Sequence, residues 1–116
     1  MQKYSGHCHC GVVRYEIETD LAQVIECNCS HCYAKGLLLT FVPPEQFRLI
    51  MGEENLTEYR FNQKRIAHLF CKTCGVQSFA RGEKRDGTPM VAINVRCLYG
   101  VDTKSLTLTP VNGKDF

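Results

Sequence analysis

The chain has 116 residues and a net charge of +2. It is sized for one domain, 1–116, and too mildly charged to suggest nucleic acid or an anionic membrane as a partner. No apolar run approaches the roughly 18 residues that a membrane span needs. Met1-Gln2-Lys3-Tyr4-Ser5-Gly6 has no apolar signal-peptide centre, so the chain is expected to be cytoplasmic, with its eight cysteines reduced.

Strand signals dominate. After a first cysteine cluster, Cys8-His9-Cys10, the residues Val13, Tyr15 and Ile17 alternate with Arg14, Glu16 and Glu18, as in a half-buried strand. Val24-Ile25-Glu26 leads into a second cluster, Cys27-Asn28-Cys29-Ser30-His31-Cys32, where one or two helical turns are expected after Cys29. Leu37 to Val42 is a continuous apolar run ended by Pro43-Pro44 and reads as a buried strand. Further strands are expected at Phe47 to Met51, Thr57 to Phe61 and Arg65 to Phe70. A third cluster, Cys71-Lys72-Thr73-Cys74-Gly75, is followed by a strand from Val76 to Arg81 and a turn at Arg85-Asp86-Gly87-Thr88-Pro89. Strands at Met90 to Arg96 and Leu106 to Val111, with a helical turn over Leu98 to Asp102, complete the set. Short strands separated by turns predict a mainly-β domain with little helix.

The cysteine clusters carry the chemistry. Two-residue and three-residue spacings close very small rings, which suits metal chelation better than the competing reading of a disulfide framework. Zinc takes thiolates in a tetrahedron at about 2.3 Å. In Cys8-x-Cys10 the strand period places both sulfurs on one face. In Cys71-x-x-Cys74-Gly75 a tight turn does the same, and Gly75 permits a positive φ. These two pairs make a closed four-sulfur site of the structural kind. Cys27, Cys29 and Cys32 offer three thiolates from one short segment, and zinc with three protein ligands is the usual catalytic arrangement. Such a site is a poor generator of hydroxide, but it suits an incoming thiol, which would deprotonate at neutral pH and attack a carbonyl carbon. Closure of the fourth corner by Cys97, His7, His9, His31 or His68 is the competing reading, and counting alone leaves open a pairing of Cys27 and Cys29 with Cys8 and Cys10.

The three clusters, together with His68-Leu69-Phe70 before the third, Ile93-Asn94-Val95-Arg96 and the tail Asn112-Gly113-Lys114-Asp115-Phe116, resemble the glutathione-dependent formaldehyde-activating enzyme family, which includes the centromere-protein-V proteins. The resemblance spans nearly the whole chain. It implies stacked antiparallel sheets of the β-tent type, shared with Rab-binding exchange-factor-like domains. It implies two zinc ions, a structural one on Cys8, Cys10, Cys71 and Cys74 and a catalytic one on Cys27, Cys29 and Cys32. It also implies a carbon–sulfur lyase-like activity resembling S-(hydroxymethyl)glutathione synthase, with a small thiol such as glutathione and a small aldehyde as partners.

The remaining residues have modest readings. Cys97 is read as a buried free cysteine. His68 is either a donor or proton carrier beside the second metal or a satisfied core histidine. His31 is read as an exposed bystander. Arg81, Lys84 and Arg85 are cations that could meet a ligand's carboxylates, with a solvated turn as the plainer reading. The alternatives to an enzyme are a non-catalytic zinc module for protein or nucleic-acid binding, and metal storage or redox sensing.

Overall fold

The computed structural model describes residues 1–61, 66–84 and 86–113. Among these residues ten strands form two sheets: β1 (Gln2–His7), β2 (Arg14–Thr19), β3 (Val24–Cys27), β4 (Leu39–Val42), β5 (Phe47–Met51), β6 (Leu56–Tyr59), β7 (Ala67–Cys71), β8 (Gln77–Glu83), β9 (Pro89–Asn94) and β10 (Leu108–Val111). One short helix, α1 (Ser30–Lys35), lies between β3 and β4. The smaller sheet has the order β1-β2-β5 and the larger β10-β3-β4-β9-β8-β7-β6. The expected mainly-β architecture with little helix is therefore observed. Neighbouring strands are antiparallel except β3 and β10, which run parallel. Among the described residues no helix is long and apolar enough to cross a membrane.

The two sheets pack face to face because each supplies one alternating apolar face. From β2 come Tyr15 and Ile17, and from the large sheet Phe79 on β8 and Val91 and Ile93 on β9, each at most 1% exposed. The Tyr15, Phe47 and Phe79 rings meet at centroid distances of 4.7–5.7 Å, in tilted or edge-on contacts. Between these inward residues, Ala80 and Gly82 on β8 and Met90 and Ala92 on β9 face the opposite side, where they line a cavity. The large sheet is thus apolar on both faces but covered by the small sheet on only one.

β1 carries no periodic signal in sequence, and its position follows from β2. Gly6 stands directly opposite Tyr15 in the register, and a Cβ at Gly6 would overlap the tyrosine ring. Gly6→Ala should therefore destabilise the protein by about 1–3 kcal/mol through overpacking. Chemical denaturation would check this, and an unchanged midpoint would contradict the packing described.

Some boundaries differ from expectation. The apolar run begins its strand only at Leu39, because the Leu37 N–H is still bonded to the Cys32 carbonyl at the end of α1, 3.1 Å. β9 stops at Asn94, whose side chain accepts from the Arg96 N–H and opens a 3₁₀ turn at Val95–Cys97. In place of the helical turn expected over Leu98 to Asp102, Leu98 bridges to Gly6 and a 3₁₀ turn at Thr103–Ser105 is capped by Asp102. The expected strand start at Arg65, the turn residue Arg85 and the tail Lys114-Asp115-Phe116 lie outside the described residues.

Candidate metal centres and the adjoining cavity

The first centre is built from two turns, one on each sheet. Cys8 and Cys10 occupy the β1–β2 turn, held by Cys8 N–H to Val13 carbonyl at 3.1 Å and Gly11 N–H to Cys8 carbonyl at 3.1 Å. Cys71 and Cys74 occupy the β7–β8 turn, where Gly75 N–H donates to the Cys71 carbonyl at 2.8 Å and Gly75 takes φ 79°. All four sulfurs lie within 4.8 Å of one another. The Cys8–Cys10 and Cys10–Cys71 separations are both 3.6 Å, close to the roughly 3.8 Å edge of a tetrahedron with 2.3 Å metal–sulfur bonds. The sulfurs also receive N–H donors, from Val13 to Cys8 at 3.4 Å and from the Asn55 amide to Cys71 at 3.2 Å. Burial raises the Cys71 thiol, but the backbone N–H groups of Cys74 and Thr73 outweigh it and bring it down to about 6. A four-sulfur set of this shape, with Cys8 and Cys71 buried and N–H-solvated, Cys74 partly buried and Cys10 exposed, fits a tetrahedral zinc ion.

The second centre lies towards the other edge of the large sheet, at β3. Cys27 ends β3, Cys29 is the residue before α1, and Cys32 lies in its first turn, so Cys29 and Cys32 share one helix face. The Cys29 sulfur caps the helix by accepting from the Cys32 N–H at 3.3 Å, and Cys27 accepts from the Cys29 N–H at 3.5 Å. The three sulfurs lie within 4.8 Å of one another, and among the described residues no fourth His, Cys, Asp or Glu ligand atom is that close to all three. Burial, then the neighbouring Cys29, pushes the Cys32 thiol up. Burial also works against Cys29 ionisation, but N–H donors led by Cys32 bring that thiol down. Three crowded sulfurs cannot all carry charge without a cation among them, so this donor set also fits zinc.

The chain's C-terminal strand closes over this trio. β10 runs parallel to β3, pairing Val111 with Cys27, and the Asn28 N–H donates to the Val111 carbonyl at 3.0 Å. The Asn28 side-chain amide also donates to Asn112, 2.7 Å. Gly113 then sits against the trio so closely that a Cβ there would overlap the Cys27 sulfur. Gly113 carries no local signal of this contact in sequence, because only the parallel pairing brings the tail to Cys27.

Beside the trio, on the uncovered face of the large sheet, is a cavity of about 310 Å³. Cys27, Cys29 and Cys32 form one end, and His68 and Gln77 are among its few polar walls. Behind His68 lies His31, ring centroids 4.1 Å apart, with Phe61 packed on both. His31 is therefore no exposed bystander: both its ring nitrogens are buried with no hydrogen-bond partner among the described residues, as is Nδ1 of His68. Burial first, then the nearby His31 and Lys35, pushes His68 down to about 4. Burial and Lys35 lower His31 as well. Because the folded value of His68 lies below the ordinary 6.5, the unfolded chain takes up more protons between those limits. Stability from neutral His68 is thus complete above about pH 6.5 and falls toward pH 4. Relative to His68→Leu, the wild type should lose thermal stability across that window; parallel profiles would show that His68 protonates freely in the fold.

The other candidates fall outside both centres. Cys97 joins neither cysteine group and is half-buried rather than buried; the Asn94 amide donates to its sulfur at 3.6 Å. His7 and His9 are exposed near the first centre, with His7 donating to the Cys8 carbonyl. Arg81 stacks over Phe47 and Phe79 at 5.1 and 5.5 Å, on the face of the sheet opposite the cavity, so it is not placed to meet a ligand there. Lys84 is exposed in its turn, where its N–H donates to the Thr88 carbonyl.

Comparison with known proteins bears on this arrangement. The family model described as glutathione-dependent formaldehyde-activating enzyme matches residues 3–110. The crystal structure of a Rhodobacter sphaeroides protein is similar, with a TM-score of 0.81 and 33% sequence identity over 94% of this chain and 98% of that one.

Proposed function

The chain belongs to the glutathione-dependent formaldehyde-activating enzyme family, and from that premise we propose that it is a zinc-dependent carbon–sulfur lyase that joins or splits a small thiol and a small aldehyde. Glutathione and formaldehyde are the pair that the family name carries. The observation that supports the reading best is the trio of Cys27, Cys29 and Cys32 at the end of a cavity, with no fourth ligand atom among the described residues. In the joining direction the thiol sulfur forms a bond to the carbonyl carbon, the carbonyl π bond opens, and the sulfur's proton ends on the oxygen.

The chain's own residues divide this work. Cys27, Cys29 and Cys32 would hold the second zinc, and Cys8, Cys10, Cys71 and Cys74 the first. Zinc at the trio, when bound, supplies a positive charge that lets a neighbouring thiol ionise at neutral pH. Gly113 leaves room against Cys27. His68, held neutral at the cavity wall, offers a hydrogen-bonding imidazole rather than a fixed cation.

Exchange between free formaldehyde and its thiol adduct, followed by magnetisation transfer in NMR, tests the proposal. Zinc-loaded protein should accelerate the exchange with at least one small thiol, and chelator-treated protein should not. Equal exchange rates with and without loaded protein, across a panel of charged and uncharged thiols, would refute it.

A further inference from the structure

Besides the cavity that His68 lines, the Cys27–Cys29–Cys32 trio borders a second one, of about 420 Å³. Cys27, Cys32, Leu37 and Val111 line both, so they form a wall between the two. The strand period explains the arrangement. Where β3 and β10 run side by side, Glu26 stands opposite Pro110 and Cys27 opposite Val111. Glu26, Asn28, Pro110 and Asn112 line the second cavity, whereas Ile25 and Gly113 line the His68 cavity. Even-numbered residues at this end of the two strands thus serve one cavity and odd-numbered residues the other, with Cys27 and Val111 touching both.

The two cavities offer different groups. The second has Glu26, Tyr33 and the Asn28 and Asn112 side chains, whose amides are joined by a 2.7 Å hydrogen bond. A carboxylate for an ammonium, and amides and a hydroxyl for peptide groups, match a polar, peptide-like thiol. The His68 cavity offers instead an imidazole, which can hydrogen-bond a carbonyl oxygen. The chemistry itself calls for two directions. At a two-bonded sulfur the S–C bonds diverge close to a right angle, so a thiol's own body and the carbon it attacks leave the sulfur in different directions. Two cavities that meet at Cys27 and Cys32 provide them.

We infer that the two reactants reach the trio from opposite sides of this wall: the body of a polar, peptide-like thiol lies in the cavity of Glu26, Asn28, Tyr33 and Asn112, and the aldehyde enters from the cavity of His68. The inference rests on the proposed thiol–aldehyde activity and assigns its two subsites. The reaction keeps the same balance: the S–C bond forms as the carbonyl π bond opens, and the thiol's S–H proton ends on the aldehyde oxygen, on the His68 side.

Glutathione and ethanethiol, titrated calorimetrically into the zinc-loaded full chain, test it together with intermolecular NOEs. Glutathione should bind at least about tenfold tighter than ethanethiol, since contact worth even two buried CH₂ groups is about a tenfold effect. Its γ-glutamyl and glycyl protons should give NOEs to the Tyr33 ring and the Asn112 amide, and none to the Met90 and Ala92 methyl groups on the His68 side. Glu26→Trp, at an exposed strand position, puts a ring into the second cavity and should weaken glutathione about tenfold or more without weakening ethanethiol. Met90→Trp, which narrows the other cavity, should leave glutathione within about twofold. If Glu26→Trp does not fold, the NOEs of the wild type decide. Glutathione NOEs to Met90 and Ala92, or equal affinities for the two thiols, overturn the inference. The NMR exchange assay separates it from the activity: glutathione seated against Tyr33 and Asn112 without accelerated exchange leaves the placement of the thiol standing and ends the proposed reaction. Accelerated exchange with glutathione seated against Met90 does the reverse. Binding of no thiol to loaded protein refutes both.

Discussion

Cys71→Ser is expected to abolish the folded state rather than merely weaken it. Cys71 and Cys8 are fully buried within the main core cluster, so the first centre is part of the core and not a surface ornament. Its two halves are the β1–β2 turn of the small sheet and the β7–β8 turn of the large sheet, sixty-one residues apart between Cys10 and Cys71. A zinc ion there would hold the two sheets face to face. Structural zinc contributes about 10–16 kcal/mol of apparent binding free energy at neutral pH, against a typical net stability of about 5–15 kcal/mol. Serine is a poor zinc ligand at neutral pH, and its hydroxyl would stand in the core beside three sulfurs that repel one another when charged. The purified variant should retain less than one tightly held zinc per chain and show no cooperative unfolding transition. Prolonged exposure of the wild type to a strong chelator should end the same way. A Cys71→Ser protein that melts cooperatively within a few degrees of the wild type would show that the sheets hold together without this metal.

Gly113→Ala should strike the other centre and leave the fold intact. The new methyl group would overlap the Cys27 sulfur and press on the Cys29 Cβ, 3.3 Å away. Relief requires either the sulfur or the end of β10 to move. Moving β10 loosens Asn28 N–H from the Val111 carbonyl and Asn28 from Asn112, the contacts that fix the backbone on which Cys27 and Cys29 stand. Misaligning groups that orient metal ligands typically costs about 10- to 100-fold in metal affinity. Loaded with zinc, the variant should therefore release metal from the Cys27–Cys29–Cys32 centre to a chromophoric chelator far more readily than the wild type, and lose the proposed formaldehyde–thiol exchange in proportion. Its thermal transition should stay near that of the wild type, since the four-sulfur clamp lies elsewhere. Equal retention of both ions in the two proteins would mean that the tail yields without disturbing Cys27.

The two variants also separate what spacing encodes from what it leaves open. Each cysteine pair and the trio is a local chelator, set by the strand period, a tight turn or the first turn of a helix, so the sequence already divides the sulfurs into two, three and two. The alternation at Tyr15 and Ile17 is visible because burial of one face leaves a two-residue period, and the run to Val42 because its strand is apolar towards both the core and the cavity. β1 is invisible because Gln2–His7 lies mostly exposed and its one close contact, Gly6 on Tyr15, is made by the absence of a side chain. His31 misleads because a polar residue in a ligand loop normally faces water, whereas here Phe61 and His68 pack over it.

The sequence by itself determined the mainly-β character, the grouping of the cysteines and the family, because each is written in local spacing or in ordered motifs. Local spacing left open which chelators meet, a grouping that the family resemblance alone implied, and nothing in the sequence determined what covers them or what lies beside them. Only the tertiary structure decided that the two pairs join the sheets, that the parallel return of β10 lays Gly113 on Cys27, and that the trio opens onto an apolar face from which Arg81 is turned away. The physical reason is common to all three. They are contacts between strands far apart in the chain, fixed by pairing register and by which face of a sheet the other sheet covers, and neither leaves a mark on its neighbours in sequence.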